Sequence, residues 1–310
     1  MDIKYSLVVP AYNEEAVLDE SYKRLKAVME QLDGGYEMIL INDGSQDNTL
    51  NILKEIAKKD EHVKVLSFSK NFGHQLAVTA GLDNTSGDAV IIIDADLQDP
   101  PSAILEMVEL WKEGHEVVYG QRLKREGETF FKKITAHMFY KVLRSMSGQD
   151  IPMDTGDFRV IDRKVRDAMC AMPEHNRFLR GMVSWVGFDQ IAYQYVREER
   201  FAGETKYTLA KMLKLAGDGI TGFSDKPLKM AIAVGAGLGI LSCVYLLVLL
   251  IMALCGSIVQ FSVWALAIML LVCSLFFVTL GILGLYIGRI YNEVQNRPLY
   301  LLQEKIGFDK

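Results

Sequence analysis

The 310-residue chain has no excess of positive charge: 34 Lys and Arg stand against 39 Asp and Glu, a net −5. That balance argues against a nucleic-acid binder, which would carry a basic face. Cysteine is scarce, and Cys170, Cys243, Cys255 and Cys273 form no Cys-x-x-Cys pair, so neither a zinc site nor a disulfide framework is indicated. Met1-Asp2-Ile3-Lys4-Tyr5 holds no apolar leader core; no secretory leader is expected, and the large domain is expected to stay in the cytoplasm. The first strand is not followed by the Gly-x-Gly-x-x-Gly of a dinucleotide-binding unit. No long low-complexity stretch or repeat is evident in the soluble part.

The largest absence is of charge near the C-terminus. From Met230 to Gly288, about 59 residues pass without Asp, Glu, Lys or Arg, enough for two bilayer-spanning helices. Cys255–Gln260 breaks the run, giving expected spans near 230–254 and 261–287. Lys226 and Lys229 precede the first, and Arg289, Arg297 and Lys305 follow the second. The positive-inside rule then puts both ends in the cytoplasm, with a very short outer loop. The expected organisation is an α/β domain over 1–206, an amphipathic interfacial region over 207–228, a two-helix transmembrane hairpin over 229–290, and a polar cytoplasmic tail over 291–310. In Tyr207–Phe223, Leu209, Met212, Leu213 and Leu215 interleave with Lys211, Lys214 and Asp218, a pattern suited to a helix lying in the headgroup plane. Mean hydropathy of +0.13 beside 24% charged residues fits a charged soluble part joined to an apolar one.

The first 120 residues alternate short apolar strands with amphipathic helices. Strands are expected over Tyr5–Val9, Glu37–Ile41, Val63–Phe68, Ala89–Ile93 and Glu116–Gly120, and helices over Glu14–Leu32, Asp47–Lys59, His74–Leu82 and Ser102–Lys112. Such alternation predicts a mostly parallel sheet covered on both faces. A further helix over Thr129–Met146 and strands over Phe158–Ile161 and Gln190–Arg197 are expected beyond it.

The chemistry-bearing stretch is Asp94-Ala95-Asp96-Leu97-Gln98-Asp99-Pro100-Pro101, directly after Ala89–Ile93. Open α/β sheets bind ligands at the carboxyl ends of their strands. Asp94 and Asp96 there can meet one divalent cation, Mg²⁺ or Mn²⁺, leaving coordination positions for a diphosphate. Asp99 reads as a helix N-cap with Pro100 at the first helical position. Pro10, Tyr12 and Asn13 suggest a rigid turn with an aromatic face and polar groups for a base. Asp43, in Asn42-Asp43-Gly44-Ser45, stands where it could accept a hydrogen bond from uracil or ribose. Each acid alone is ordinary turn chemistry; three converging on one sheet edge are not.

Val9–Glu15, Asn42–Ser45, Asp94–Pro101 and Tyr119–Arg122 resemble the motifs of family 2 glycosyltransferases with a GT-A (Rossmann-like) fold. Asp154–Arg159, Arg177–Gly181 and Arg200–Tyr207 extend the resemblance to the polyisoprenyl-phosphate branch. That branch includes bactoprenol glucosyltransferases, their N-acetylhexosamine and aminoarabinose relatives, and dolichol-phosphate mannose synthases. The paired C-terminal spans are most similar to the bactoprenol type. The resemblance implies inverting, metal-dependent transfer of a hexose from a nucleotide-sugar, UDP-glucose by preference, to undecaprenyl phosphate. The product would be a lipid-linked sugar for cell-envelope glycans. Pro10, Tyr12, Asn13, Glu14 and Asp43 would then hold the nucleoside, and Asp94 and Asp96 the metal, with Gln98 close to metal or sugar. Asp157 matches the proposed catalytic carboxylate, and Arg122, Arg200 and Lys206 are candidates for the lipid phosphate and donor diphosphate. UDP-N-acetylglucosamine or GDP-mannose are alternative donors.

Other residues read as structural. Arg159, Arg163 and Arg166 are expected at the surface or in salt bridges, His74 and His137 in packing or capping, and Trp185, Phe188 and Tyr193 in the core. Lys132 and Lys133 suit either the lipid phosphate or a solvated helix face; Arg177 and Arg180 either line the membrane-facing groove or anchor a helix. A processive synthase would carry Gln-x-x-Arg-Trp and usually more spans, and the chain has neither. A non-catalytic nucleotide-binding membrane scaffold would not need the phosphate-gripping set. Gly235-x-x-x-Gly239 and Gly284-x-x-x-Gly288 permit close helix contact. Relatives of the branch imply a homo-oligomer, possibly a tetramer, with the tail able to pack on a neighbour.

Overall fold

The computed structural model describes residues 3–123, 155–196 and 261–308, together with positions 237, 244, 247, 248, 251 and 254. In chain order the described elements are β1 (Ile3–Ala11), α1 (Leu18–Met29), β2 (Gly35–Asn42), α2 (Thr49–Lys59), β3 (Val63–Phe68), α3 (His74–Asp83), β4 (Ala89–Ile92), α4 (Ala103–Lys112), β5 (Val117–Arg122), β6 (Thr155–Asp162), α5 (Arg163–Cys170), α6 (Leu179–Val186), β7 (Gln190–Tyr195), α7 (Phe261–Gln295) and β8 (Leu302–Ile306).

The strands form one sheet in the order β7-β5-β6-β4-β1-β2-β3-β8. Its centre, β4-β1-β2-β3, is parallel throughout, as the alternation predicts. The β5–β7 pair is also parallel, while β6 runs antiparallel between β4 and β5. Successive side chains of a strand point to opposite faces, so β1 feeds two cores. Leu7 and Val9 pack with Leu25, Leu53 and Met107 on one face; Val8 packs with Ala77, Val78 and Met182 on the other. This two-sided burial is why the central strands read as near-continuous apolar runs.

Several expectations are corrected. Pro10 lies inside β1, buried and paired with Ile41, not in a turn. The first helix starts at Leu18 rather than Glu14. The amides of Glu14 and Glu15 are drawn instead to Thr49 Oγ1 at 2.9 Å and Asp47 Oδ2 at 3.2 Å. Asp99 does not cap α4, whose cap position is Ser102. A residue before proline is pushed out of the helical region, so Pro100 and Pro101 delay the helix and leave Asp99 to turn inward. Trp185 is 60% exposed, because α6 buries Leu179, Met182 and Val183 instead.

Part of the tail forms β8, antiparallel to β3 with Val65 opposite Ile306. Tyr300 stacks on Phe68 at 5.2 Å and donates to Asp83 at 2.9 Å. Just before it, Glu293 and the Arg297 carbonyl contact both ring nitrogens of His175, at 2.7 and 2.8 Å. Among the residues whose side chains are described, no helix is long and apolar enough to cross a membrane. The expected span 261–287 falls within the backbone of α7, which continues to Gln295. The span 230–254, apart from isolated positions, lies outside the described residues, as do the helix over Thr129–Met146 with Lys132, Lys133 and His137, the amphipathic segment over 207–228, Arg200 and Lys206.

Candidate active site

The carboxyl ends of β1, β2 and β4 deliver the expected residues to one edge of the sheet. After β1, Asn13 adopts φ 53°, a left-handed conformation asparagine tolerates better than most residues. Its side-chain oxygen accepts the Gln46 amide at 2.8 Å, and its own amide donates to Ser45 Oγ at 3.0 Å. Asn13 therefore staples the loops after β1 and β2 together. Tyr12 and Glu14 flank it, both half-buried.

Asp43 is almost fully buried and points towards the loop entering α3. Its carboxylate accepts from the Phe72 amide at 2.7 Å, the Gly73 amide at 3.0 Å and Asn71 Nδ2 at 2.9 Å. Burial raises its carboxyl above the ordinary value, against the lowering effect of those amides. The approach of the two loops needs a glycine: a Cβ on Gly44, at φ +64°, would lie 2.3 Å from the Lys70 carbonyl carbon. Asp43 thus holds in place the loop that leads into His74 and Gln75 at the start of α3.

Asp94 and Asp96 follow β4. The Gln98 amide donates to Asp96 Oδ1 at 3.1 Å, closing a tight turn. Within it the buried Leu97 has φ 57°, a strained position for a bulky side chain and one that clusters at functional sites. Burial lifts the Asp94 carboxyl to about 6; Asp157, Asp96 and Asp99 push the same way, and His74 opposes them. His74 Nε2 stands 3.7 Å from Asp94.

Asp157, near the start of β6, is only 7% exposed. Its Oδ2 lies 3.0 Å from His74 Nε2 and 3.3 Å from Gln75 Nε2, while its Oδ1 accepts Arg180 Nε at 2.9 Å. Burial alone would raise its pKa; Arg180, His74 and Arg159 outweigh that and hold the carboxyl well below the usual range. His74 is correspondingly lifted to about 9 by Asp94 and Asp157, against the opposite pull of burial. Arg159, expected at the surface or in a salt bridge, is 4% exposed; it pairs with Asp157 at 3.9 Å and donates to the carbonyls of Asp157 and Gly156 at 3.2 and 3.0 Å. A second pair lies beside this one. Asp99 accepts from Tyr195 at 2.5 Å and sits 3.4 Å from Arg122 Nη2. Arg122 therefore reaches the site already engaged with a carboxylate.

The expected Asp43, Asp94, Asp96, Gln98, Arg122 and Asp157 thus share one edge. His74, Gln75 and Arg159 join them from positions the sequence left as structural or unremarked, and Arg180 from one read as either lining the membrane-facing groove or anchoring a helix. The one available signal for His74 and Gln75 was their place at the start of a helix on that same edge. Chemically, the edge offers hard carboxylate oxygens at β4 beside a guanidinium–carboxylate pair at β6. That combination suits a cation together with phosphate groups.

A family model described as Glycosyl transferase family 2 matches residues 6–169. The uncharacterized glycosyltransferase YkcC of Bacillus subtilis is 53% identical over 309 residues, covering 99% of this chain and 95% of its own. The bactoprenol glucosyl transferase of Shigella phage SfII is 40% identical over 303 residues, covering 97% and 98% respectively. A solved glucosyl-3-phosphoglycerate synthase from Mycobacterium tuberculosis, in complex with Mn²⁺, UDP and phosphoglyceric acid, is 23% identical with a TM-score of 0.49, covering 71% of this chain and 76% of its own.

Proposed function

The chain belongs to glycosyl transferase family 2 and is a glycosyltransferase, and from that premise we propose that it transfers a hexose from a nucleotide-sugar to a polyisoprenyl phosphate. UDP-glucose is the preferred donor and undecaprenyl phosphate the preferred acceptor. The observation that carries the reading is the nearly full-length likeness to proteins named bactoprenol glucosyl transferase. The uncharged run from Met230 to Gly288 supports membrane tethering by a helical hairpin.

In the reaction, an oxygen of the acceptor phosphate forms a bond to the sugar's anomeric carbon. The bond from that carbon to the donor diphosphate breaks, and the nucleoside diphosphate leaves with the electron pair, inverting the centre. A phosphate monoester, with a second pKa of about 6, is largely deprotonated at neutral pH, so no strong base is required. Asp157 suits an orienting role: held ionised, it fixes Arg180 at 2.9 Å, and Arg180 would in turn meet the acceptor phosphate. Arg122, Arg200 and Lys206 complete the phosphate-binding set, while Tyr12, Asn13, Glu14 and the Asp43 loop form the nucleoside end. Arginine's planar fork suits this task because it grips phosphate oxygens in two places.

The donor set fits a divalent cation. Asp94 and Asp96 present hard oxygens, and the neighbouring carboxylates that push Asp94 up leave negative charge for a cation to offset. Asp94 and Asp96 would hold Mg²⁺ or Mn²⁺, which supplies Lewis-acid stabilisation to the departing diphosphate.

The test is nucleotide release by the purified full-length chain in lipid nanodiscs, with UDP-glucose, UDP-N-acetylglucosamine or GDP-mannose. Each donor is assayed with and without undecaprenyl phosphate, in Mg²⁺, Mn²⁺ or EDTA. Release that requires the lipid phosphate and is greatest with UDP-glucose supports the reading. Equal release with and without the lipid contradicts it.

A further inference from the structure

We propose that Gln75 is a positioning residue that sets the geometry of the Asp157–Arg180 pair; the proposal rests on the glycosyl-transfer reading. The first amides of a helix have no partner within it. In α6 the cap position is Phe178, which offers no side-chain oxygen. The missing acceptor comes from 104 residues away, where Gln75 Oε1 takes the Leu179 amide at 2.9 Å. The other end of the same planar group, Nε2, meets Asp157 Oδ2 at 3.3 Å. The residue after Leu179 is Arg180, whose Nε meets the second oxygen of Asp157 at 2.9 Å. One amide therefore fixes the carboxylate on one side and, on the other, the start of the helix that carries its guanidinium partner.

Gln75 is itself well anchored. It occupies the second position of α3, and the loop leading into that helix is held by Asp43 through the Phe72 and Gly73 amides. A continuous set of contacts thus runs from the end of β2, through α3, to β6 and α6. It joins the nucleoside end of the site to Asp157. Both ends of the Gln75 amide are committed to protein groups, so it acts through Asp157 and Arg180 rather than on substrate.

The test uses full-length Gln75→Glu and Gln75→Met in nanodiscs with UDP-glucose and undecaprenyl phosphate. Turnover is measured alongside thermal unfolding and amide exchange at the start of α6. Glutamate keeps an acceptor for Leu179 but sets a second carboxylate against Asp157; methionine loses both bonds at similar length. Misplacing reacting groups by about 1 Å lowers rate by about 100-fold. Both variants are therefore expected to lose about 10- to 100-fold in kcat with the KM for UDP-glucose little changed. Only the methionine variant is expected to lose protection at Leu179. If Gln75→Glu turns over like the wild type, Gln75 merely caps α6 and the proposal falls. If the wild type binds UDP-glucose but transfers nothing, the transfer reading falls. Exchange then judges the contact alone, and equal protection of Leu179 in wild type and Gln75→Met overturns it.

Discussion

Replacing Asp157 with asparagine separates an orienting carboxylate from a proton-accepting one. The amide preserves volume and one acceptor oxygen but removes the charge that Arg180, His74 and Arg159 face at 2.9, 3.0 and 3.9 Å. Breaking a buried ion pair from one side costs about 3–5 kcal/mol. Arg180 keeps 19% of its side chain exposed and His74 can shed its proton, so the lower end, about 3 kcal/mol, is expected. Because the folded carboxyl titrates well below its ordinary value, its contribution is complete above the unfolded value of about 3.9. It fades as pH falls from there through the folded value. The stability gap between wild type and Asp157→Asn should accordingly be widest between about pH 4 and pH 6.5. It should narrow below that range as Asp157 is protonated, and above it as His74, lifted from 6.5 to about 9 partly by Asp157, loses its proton. Turnover should drop about 100-fold from misalignment. The acid limb of kcat should persist in the variant, because it belongs to the acceptor phosphate with its second pKa of about 6. Denaturant melts across pH and a kcat–pH profile on undecaprenyl phosphate measure both. An acid limb that vanishes in Asp157→Asn would make Asp157 the general base. Near-normal turnover at every pH would remove it from the site altogether.

Three further outcomes are expected. Asp94→Asn and Asp96→Asn should each weaken Mn²⁺ binding in the presence of UDP, read by titration calorimetry, and lower turnover by at least about 100-fold; unchanged Mn²⁺ affinity would move the cation elsewhere. Gly44→Ala forces a Cβ to within 2.3 Å of Lys70 at a positive φ. It should destabilise the fold by more than about 1 kcal/mol and raise the KM for UDP-glucose through the Asp43 loop, whereas an unchanged melting temperature would show the loops free to part. His175 faces an acceptor at each ring nitrogen, which favours the imidazolium. The Glu293 and Arg297 contacts raise its pKa from 6.5, with Arg177 opposing. A raised folded pKa gives stabilisation that is complete below pH 6.5 and is lost as pH rises through the folded value. Exchange at the end of α7 should then quicken on the alkaline side more than in His175→Gln, and identical profiles would remove His175 from that contact.

The central sheet was legible because parallel strands buried on both faces must be β-branched and apolar, as Val90-Ile91-Ile92 is. The Asp94–Asp96 spacing was legible for a similar reason, since local chemistry is written locally. β8 was not: Leu302-Gln303-Glu304-Lys305-Ile306 is a mixed, half-exposed edge strand, and charge on an edge strand hides it from an apolar pattern. Arg159 escaped because arginine is rarely buried, and its burial rests on two backbone carbonyls that tertiary structure supplies. His74 and Gln75 lie 83 and 82 residues from the carboxylate they contact, and no local pattern encodes such a meeting. Asp43 was identified as a site-edge acid, but its partners across the β3–α3 loop were not.

Mass spectrometry of the lipid recovered from the full-length chain with UDP-glucose and undecaprenyl phosphate is the most direct test of hexosyl transfer. One hexosyl unit on a lipid that still bears a single phosphate, formed with one equivalent of UDP and abolished by EDTA, is the expected result. A lipid diphosphate, or unmodified lipid beside free glucose, would contradict it.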